Sequence, residues 1–325
     1  AVIGAITRLT ESGLSMVEWR PLIGTLPPLT EAEWQRVFDL YRETPEYRFK
    51  NAGMGLEAFK TIFFWEWFHR LWGRLIGLVF ALPLLAFWLT GQIRRVGHVP
   101  NLGWKLVGLL VLGGLQGVMG WVMVQSGLVD RPSVSQYRLA AHLGLAFVIF
   151  SLLLWLAWRL FEDPAAPAAT LAPRPVRRHL WGTVAIAAVT VAWGALVAGL
   201  DAGLAYNTWP LMDGRLVPPG AMAIMPWWLN PFENTATVQF IHRWIAIATA
   251  AAVLALAWSV RRRGAAPRVR RMVDLAAAMV AVQVALGIAT LLTQVWIPLA
   301  ALHQAGALVL LALLLRAGFL ARPAA

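Results

Sequence analysis

Residues 62–77 read Ile-Phe-Phe-Trp-Glu-Trp-Phe-His-Arg-Leu-Trp-Gly-Arg-Leu-Ile-Gly, and residues 235–250 read Thr-Ala-Thr-Val-Gln-Phe-Ile-His-Arg-Trp-Ile-Ala-Ile-Ala-Thr-Ala. Each stretch sets a His-Arg pair, His69-Arg70 or His242-Arg243, inside an apolar run. A polar residue, Glu66 or Gln239, stands three positions before each histidine. Such a run needs a use for its ionisable groups, because each costs of order 2.5–3.5 kcal/mol near the centre of a bilayer. Seven runs of about 20 apolar residues, the length that crosses roughly 30 Å of hydrocarbon, lie near 62–90, 104–125, 138–161, 180–200, 236–260, 272–293 and 298–321. With 59% hydrophobic and 14% charged residues and a mean hydropathy of +0.64, the chain is predicted to be an all-α integral membrane protein.

The two quoted stretches belong to an internal duplication. Gly4-Ala5, Gly13-Leu14, Trp19 and Gly24 match Gly194-Ala195, Gly203-Leu204, Trp209 and Gly214 at a constant offset of 190. His69-Arg70 matches His242-Arg243 at 173, Gln116 and Gly120 match Gln283 and Gly287 at 167, and His142 matches His303 at 161. This register predicts eight transmembrane helices, the first one truncated in this chain, as two tandem pseudo-symmetric four-helix bundles. An even number of helices per half gives both halves one orientation, which disfavours an inverted-repeat transporter. Residues 1–161 form the N-terminal half, 162–179 a cytoplasmic linker rich in proline and alanine, and 180–325 the C-terminal half.

The formal charge of +12 gathers in alternate connections: Arg94, Arg95 and Lys105; Arg174, Arg177 and Arg178; and six arginines between Arg261 and Arg271. That pattern orients a membrane protein with these connections and both termini inside, and it argues against nucleic acid as a partner. Connections 11–60, 126–137, 201–235 and 294–298 are placed outside, and Thr30-Glu-Ala-Glu33 predicts a capped helix in the first of them. The absence of cysteine excludes disulfides and thiolate metal sites.

Six histidines divide by context. His98 and His179 lie beside basic residues, have no repeat partner and are expected in solvated loops. His69, His142, His242 and His303 are repeat-matched and fall 4–9 residues after the expected helix starts, roughly 6–14 Å from the outer end. Neutral imidazole is an axial ligand of haem iron, so His69 with His142 and His242 with His303 are candidate iron-ligating pairs. Arg70, Arg74 and Arg243 share the histidine faces, and Arg70 and Arg243 are suited to haem propionates. Glu66 can take a proton whereas Gln239 can only hydrogen-bond, which marks the N-terminal site for chemistry and the C-terminal site for electron transfer.

Glu66-x-x-His69-Arg70-x-x-Gly73-Arg74, with Gly13-Leu14-Ser15, Gln239-x-x-His242-Arg243 and His303-Gln304, resembles the haem A synthase family over essentially the whole chain. The resemblance implies an oxidoreductase that converts the C8 methyl of haem O to a formyl group by successive hydroxylations with water-derived oxygen. It implies Glu66, His69 and His142 as the catalytic set around haem O or haem A, and His242 and His303 as ligands of haem b, with Gln239 beside them. It further implies a bacterial plasma membrane or mitochondrial inner membrane, with haem O synthase, oxidase assembly factors, an unidentified electron acceptor and a homo-oligomer as candidate partners besides lipid. Some members carry a cysteine pair in an outer loop; this chain has none, so no disulfide-based step operates here. The rivals are a dihaem b-type cytochrome that relays electrons and a haem or quinone carrier without chemistry. A relay needs haems toward opposite membrane faces, whereas all four histidines are expected at one depth.

Overall fold

The structure, a computed structural model, describes residues 1–18, 25–129, 134–161 and 172–322. Its elements are α1 (Val2–Leu9), α2 (Glu31–Arg42), α3 (Pro45–Phe49), α4 (Leu56–Leu89), α5 (Gln92–Arg95), α6 (Leu102–Val129), α7 (Gln136–Leu160), α8 (Arg174–Gly199), α9 (Asn230–Glu233), α10 (Thr235–Arg262), α11 (Pro267–Leu292) and α12 (Ile297–Leu320). Among the described residues seven helices, α4, α6, α7, α8, α10, α11 and α12, are long and apolar enough to cross a membrane. They fall on the seven apolar runs. The eight-residue α1 is not one of them. Trp19 and Gly24 of the repeat register lie outside the described residues.

Helix starts differ from those expected because hydropathy marks where a chain turns apolar, not where it turns helical. α8 begins at Arg174 and α11 at Pro267, each with proline in its first turn, where a missing N–H costs nothing. Arginine is a good helix former. Residues 174–179, expected within the linker, are therefore helical, and His179 sits half-buried in α8 rather than in a loop. The linker's 162–171 lie outside the described residues. α4 begins at Leu56, so His69 falls in its fourth turn, while His142, His242 and His303 stay within two turns of their helix starts. His98 is exposed in a turn, as expected.

Packing divides the chain into two compact units, Ala1–Ala146 and Phe147–Ala325, with the division inside α7. In the second unit α8, α10, α11 and α12 enclose a core that includes Val176, Leu180, Val253, Leu256, Val260, Val273 and Leu314. Thr190 and Thr249 hydrogen-bond across α8 and α10 at 2.7 Å, a contact small enough to let the helices approach closely. In the first unit α1 and α6 pack on α4. Leu75, Ile76, Leu78, Val79, Leu82 and Leu85 of α4 are exposed, which is favourable only where lipid replaces water.

Residues 30–49 form a small lobe against the start of α4. Thr30 accepts from the Glu33 N–H at 3.3 Å, and Glu33 in return accepts from the Leu29 N–H at 3.0 Å. The expected capping box is thus made with its return bond one residue earlier than the usual form. That bond holds the Glu33 carboxyl below the ordinary carboxylate range. Phe38, Tyr41, Phe59 and Phe63 then seal α2 onto α4.

Under this seal the Tyr41 hydroxyl donates to Glu46 at 3.1 Å and accepts from Asn51 at 2.7 Å. Glu46 is only 4% exposed, and its burial pushes its pKa up from 4.5 to about 7. A value raised by folding means that this carboxyl's contribution is complete below about pH 4.5 and is lost as pH rises through 7. Hydrogen exchange of residues 31–49 is therefore expected to be faster at pH 8 than at pH 5 beyond the intrinsic rate change, by up to roughly 3 kcal/mol of local opening energy. Glu46→Gln should flatten that difference; an unchanged difference in the variant would assign it to another group.

Candidate functional site

Each repeat-matched histidine lies against a glycine of a neighbouring helix. A Cβ added at Gly4 of α1 would lie 3.1 Å from Nε2 of His69 on α4. At Gly120 of α6 it would lie 3.3 Å from Cε1 of His142 on α7. The second half repeats the arrangement: Gly194 of α8 meets Cε1 of His242 on α10 at 3.1 Å, and Gly287 of α11 meets Cε1 of His303 on α12 at 2.9 Å. These glycines are the partners matched at offsets of 190 and 167. Duplication has therefore preserved a ring-on-backbone contact, not merely residue identities. His69 and His142 are close enough to interact electrostatically, as are His242 and His303.

A glutamine steadies the second histidine of each pair. Gln116 Nε2 donates to the backbone carbonyl of His142 at 3.0 Å and lies 3.3 Å from the ring Nε2. Gln283 Nε2 donates to the carbonyl of His303 at 2.8 Å and lies 3.2 Å from Nδ1. An amide nitrogen can only donate, so it suits the tautomer whose facing ring nitrogen carries no proton. In the sequence these glutamines and glycines are visible only as repeat markers, and their constant offset is the signal that they belong to the site.

The arginines bind backbone as well as side chains. Arg70 pairs through Nε with Glu66 at 2.5 Å and reaches the carbonyls of Met16 at 3.1 Å and Glu18 at 3.5 Å. Arg243 reaches Gln239 Oε1 at 3.0 Å and the carbonyls of Tyr206 at 2.7 Å and Thr208 at 2.8 Å. Met16 and Tyr206, like Glu18 and Thr208, stand 190 residues apart, so this clamp too is duplicated. Each clamp fastens the segment that follows α1 or α8 onto the histidine-bearing helix. Arg74 is half-buried one turn beyond Arg70, and Gly73 and Gly77 on that face are exposed.

The halves differ where the clamp meets the −3 residue. Glu66 is 4% exposed, with its charge held by Arg70, and is near enough to His69 to act on it electrostatically. Gln239, 2% exposed, instead spends its amide N–H on the Ala202 carbonyl at 2.6 Å. Of the tryptophans beside the histidines, Trp67 donates to the Thr25 carbonyl at 3.0 Å and Trp244 is exposed.

The chemistry of the donor set suits haem. Among the described residues no three His, Cys, Asp or Glu side chains converge, which leaves a bare ion short of ligands. A porphyrin supplies four nitrogens itself and asks the protein for two axial ones. Nδ1 of His142 and of His242 and Oε1 of Gln116 and of Gln283 are buried without a hydrogen-bond partner. Such atoms are rare in folded chains and point to a missing one.

Seven apolar helices carrying repeat-matched histidine pairs define an integral membrane protein whose site chemistry fits porphyrin iron. The COX15-CtaA family model, described as cytochrome oxidase assembly protein, matches residues 1–315. The chain is 56% identical over 323 residues to the heme A synthase of Rhodospirillum centenum, covering 99% of this chain and 84% of that protein. It is 49% identical over 313 residues to that of Nitrosospira multiformis, covering 95% of this chain and 85% of the relative. It is also 49% identical over 312 residues to that of Mesorhizobium japonicum, with shares of 95% and 83%. This chain belongs to the COX15-CtaA family.

Gly287→Ala forces a methyl to 2.9 Å from the His303 ring, an overpacking that costs about 1–3 kcal/mol. It is expected to reduce haem retained per purified protein severalfold, measured from the Soret absorbance. Gly182→Ala, with nothing within 4 Å of the added carbon, should retain haem like the parent. Equal retention in both variants would show that the ring contact does not matter.

Proposed function

We propose that this chain is a haem A synthase: it oxidises the C8 methyl of haem O to the formyl group of haem A, within the membrane. The observation that carries the reading is the single chemical difference between two otherwise duplicated clamps, Glu66 on Arg70 against Gln239 on Arg243. A pure electron relay or a carrier gives no reason to keep an acid in one half only.

In balance, the methyl and one net water become a formyl group with release of four protons and four electrons, through a hydroxymethyl and then a geminal diol that loses water. His69 and His142 hold the substrate haem between α4 and α7. Glu66 takes a proton from the water that adds at the methyl carbon, and Arg70 holds its carboxyl in place while tying down the 16–18 segment. Arg74 offers positive charge to a propionate, whereas the donors of Arg70 and Arg243, expected to meet propionates, are directed to Glu66 or Gln239 and to backbone carbonyls. His242 and His303 hold haem b, with Gln239 and Gln283 bracing its surroundings. Haem b, when bound, supplies one-electron transfer. The electrons then pass to an acceptor outside the chain.

The same reading arranges the fold as eight transmembrane helices in two four-helix halves, 1–161 and 180–325 joined through 162–179, with α1 in the place that α8 holds in the second half. The histidines face the outer side of a bacterial plasma membrane and the arginine-rich connections the cytoplasm, which the charge pattern supports. Haem O synthase and oxidase assembly factors are the natural neighbours for supply and delivery.

Co-expression with haem O synthase in a host lacking haem A, followed by chromatography and mass analysis of extracted haems, tests the reading. Haem A or its hydroxymethyl precursor is expected from the parent chain. Haem b and unaltered haem O alone, in a folded and haem-loaded protein, would favour the electron relay. Glu66→Gln copies the arrangement already present at Gln239, so it should fold and keep haem b while losing about 10²- to 10⁴-fold of haem A formation, the usual contribution of a positioned base. Undiminished haem A from that variant would remove Glu66 from the chemistry.

A further inference from the structure

We propose that an open cavity at the far end of α12 from His303 binds an anionic phospholipid, preferably one carrying two phosphate groups. The cavity holds about 700 Å³ and lies wholly within the Phe147–Ala325 unit. It is lined by Arg174, Arg177 and Arg178 from the first turns of α8, by Arg322 just past α12, and by Trp155, Trp181 and Gly318. Arg322 follows His303 by 19 residues, ~28 Å along a helix, so the cavity is not part of the histidine site.

The aromatic part of the lining is closely packed. The Trp155 and Trp181 rings lie 6.1 Å apart, and Phe319 meets Trp155 edge-on at 5.1 Å. A Cβ at Gly318 would lie 3.1 Å from the Trp181 ring, so this glycine lets the indole rest against α12. Arg322 is seated by stacking 3.4 Å over the Phe319 ring.

Four guanidinium groups thus converge on one opening. Among the described residues no carboxylate forms an ion pair with Arg174, Arg177 or Arg178. A second basic cavity, lined by Arg270 and Arg271, behaves differently: it contains Asp274, which pairs with Arg261 at 2.6 Å. Guanidinium forks match phosphate oxygens in pairs, and basic pockets between helix ends at the membrane surface suit acidic headgroups. Tryptophan favours the headgroup level, and Leu152 and Leu153, three and two residues before Trp155 on α7, are exposed and apolar. A soluble polyphosphate shares the phosphate chemistry but has no acyl chains to lie on that surface. Two phosphates per molecule offset Arg174, Arg177 and Arg178 better than one.

The test uses the full chain, purified and delipidated in detergent, with native mass spectrometry reading the bound fraction of added diphosphatidylglycerol, phosphatidylcholine or inorganic pyrophosphate. Diphosphatidylglycerol is expected to bind at least tenfold more tightly than phosphatidylcholine. The Arg177→Gln/Arg178→Gln pair should weaken it severalfold, and adding Arg174→Gln and Arg322→Gln at least tenfold. A control matched in charge to the Arg177/Arg178 pair, Arg270→Gln/Arg271→Gln, should change it less than twofold. Circular dichroism verifies that each variant is folded, and the Arg177/Arg178 pair alone decides the question if the fourfold variant is not. Equal weakening by the control would overturn the site in favour of diffuse charge. Pyrophosphate binding as tightly as the lipid would overturn the lipid assignment in favour of a soluble phosphate.

Discussion

Within hydrocarbon a polar group keeps its place only if something answers it, and the two arginine clamps are where this chain meets that demand. A guanidinium has five donors and no acceptor. Arg70 and Arg243 spend theirs on the −4 side chain and on two backbone carbonyls of the preceding connection. Those carbonyls belong to irregular chain, which has no helical partner for them and would be costly to bury unanswered. One residue therefore neutralises a buried acid or caps a buried amide and closes the connection over the helix that carries the neighbouring histidine. That histidine's ring in turn lies against the backbone of a glycine on an adjacent helix.

Much of this was legible in the sequence, and for physical reasons. A span must be apolar along its whole length, so seven helices could be read from hydropathy alone, as could the capped helix that starts after Thr30. The histidine pairs were legible because duplication supplied an internal comparison that one copy would not. Helix starts were not, since Arg174, Arg177 and Arg178 interrupt hydropathy without interrupting a helix. The roles of Gln116, Gln283 and the four glycines were also hidden, because a glutamine that braces a ring and a glycine that makes room for one leave no periodic trace. Which arginine donors meet backbone carbonyls rather than a ligand is a matter of three-dimensional distance, and no spacing rule contains it.

The two units are also unequal in how they are held. The second has a dense aliphatic core, including Val253, Leu256, Val260 and Leu314, all without solvent exposure. The first relies more on the aromatic lobe around Tyr41 and Phe59 at one end of α4, and presents long apolar faces.

The matched clamps have a consequence for how such a protein arises. Glutamate and glutamine codons differ only in their first base, so the step that separates Glu66 from Gln239 is a single point mutation. Either side chain offers the arginine an acceptor oxygen, Glu66 to Nε of Arg70 and Gln239 to a terminal nitrogen of Arg243. A duplicated ancestor with two equivalent halves thus needed one base change to make them chemically unlike, an acid in one clamp and an amide in the other, while an arginine partner was kept in both.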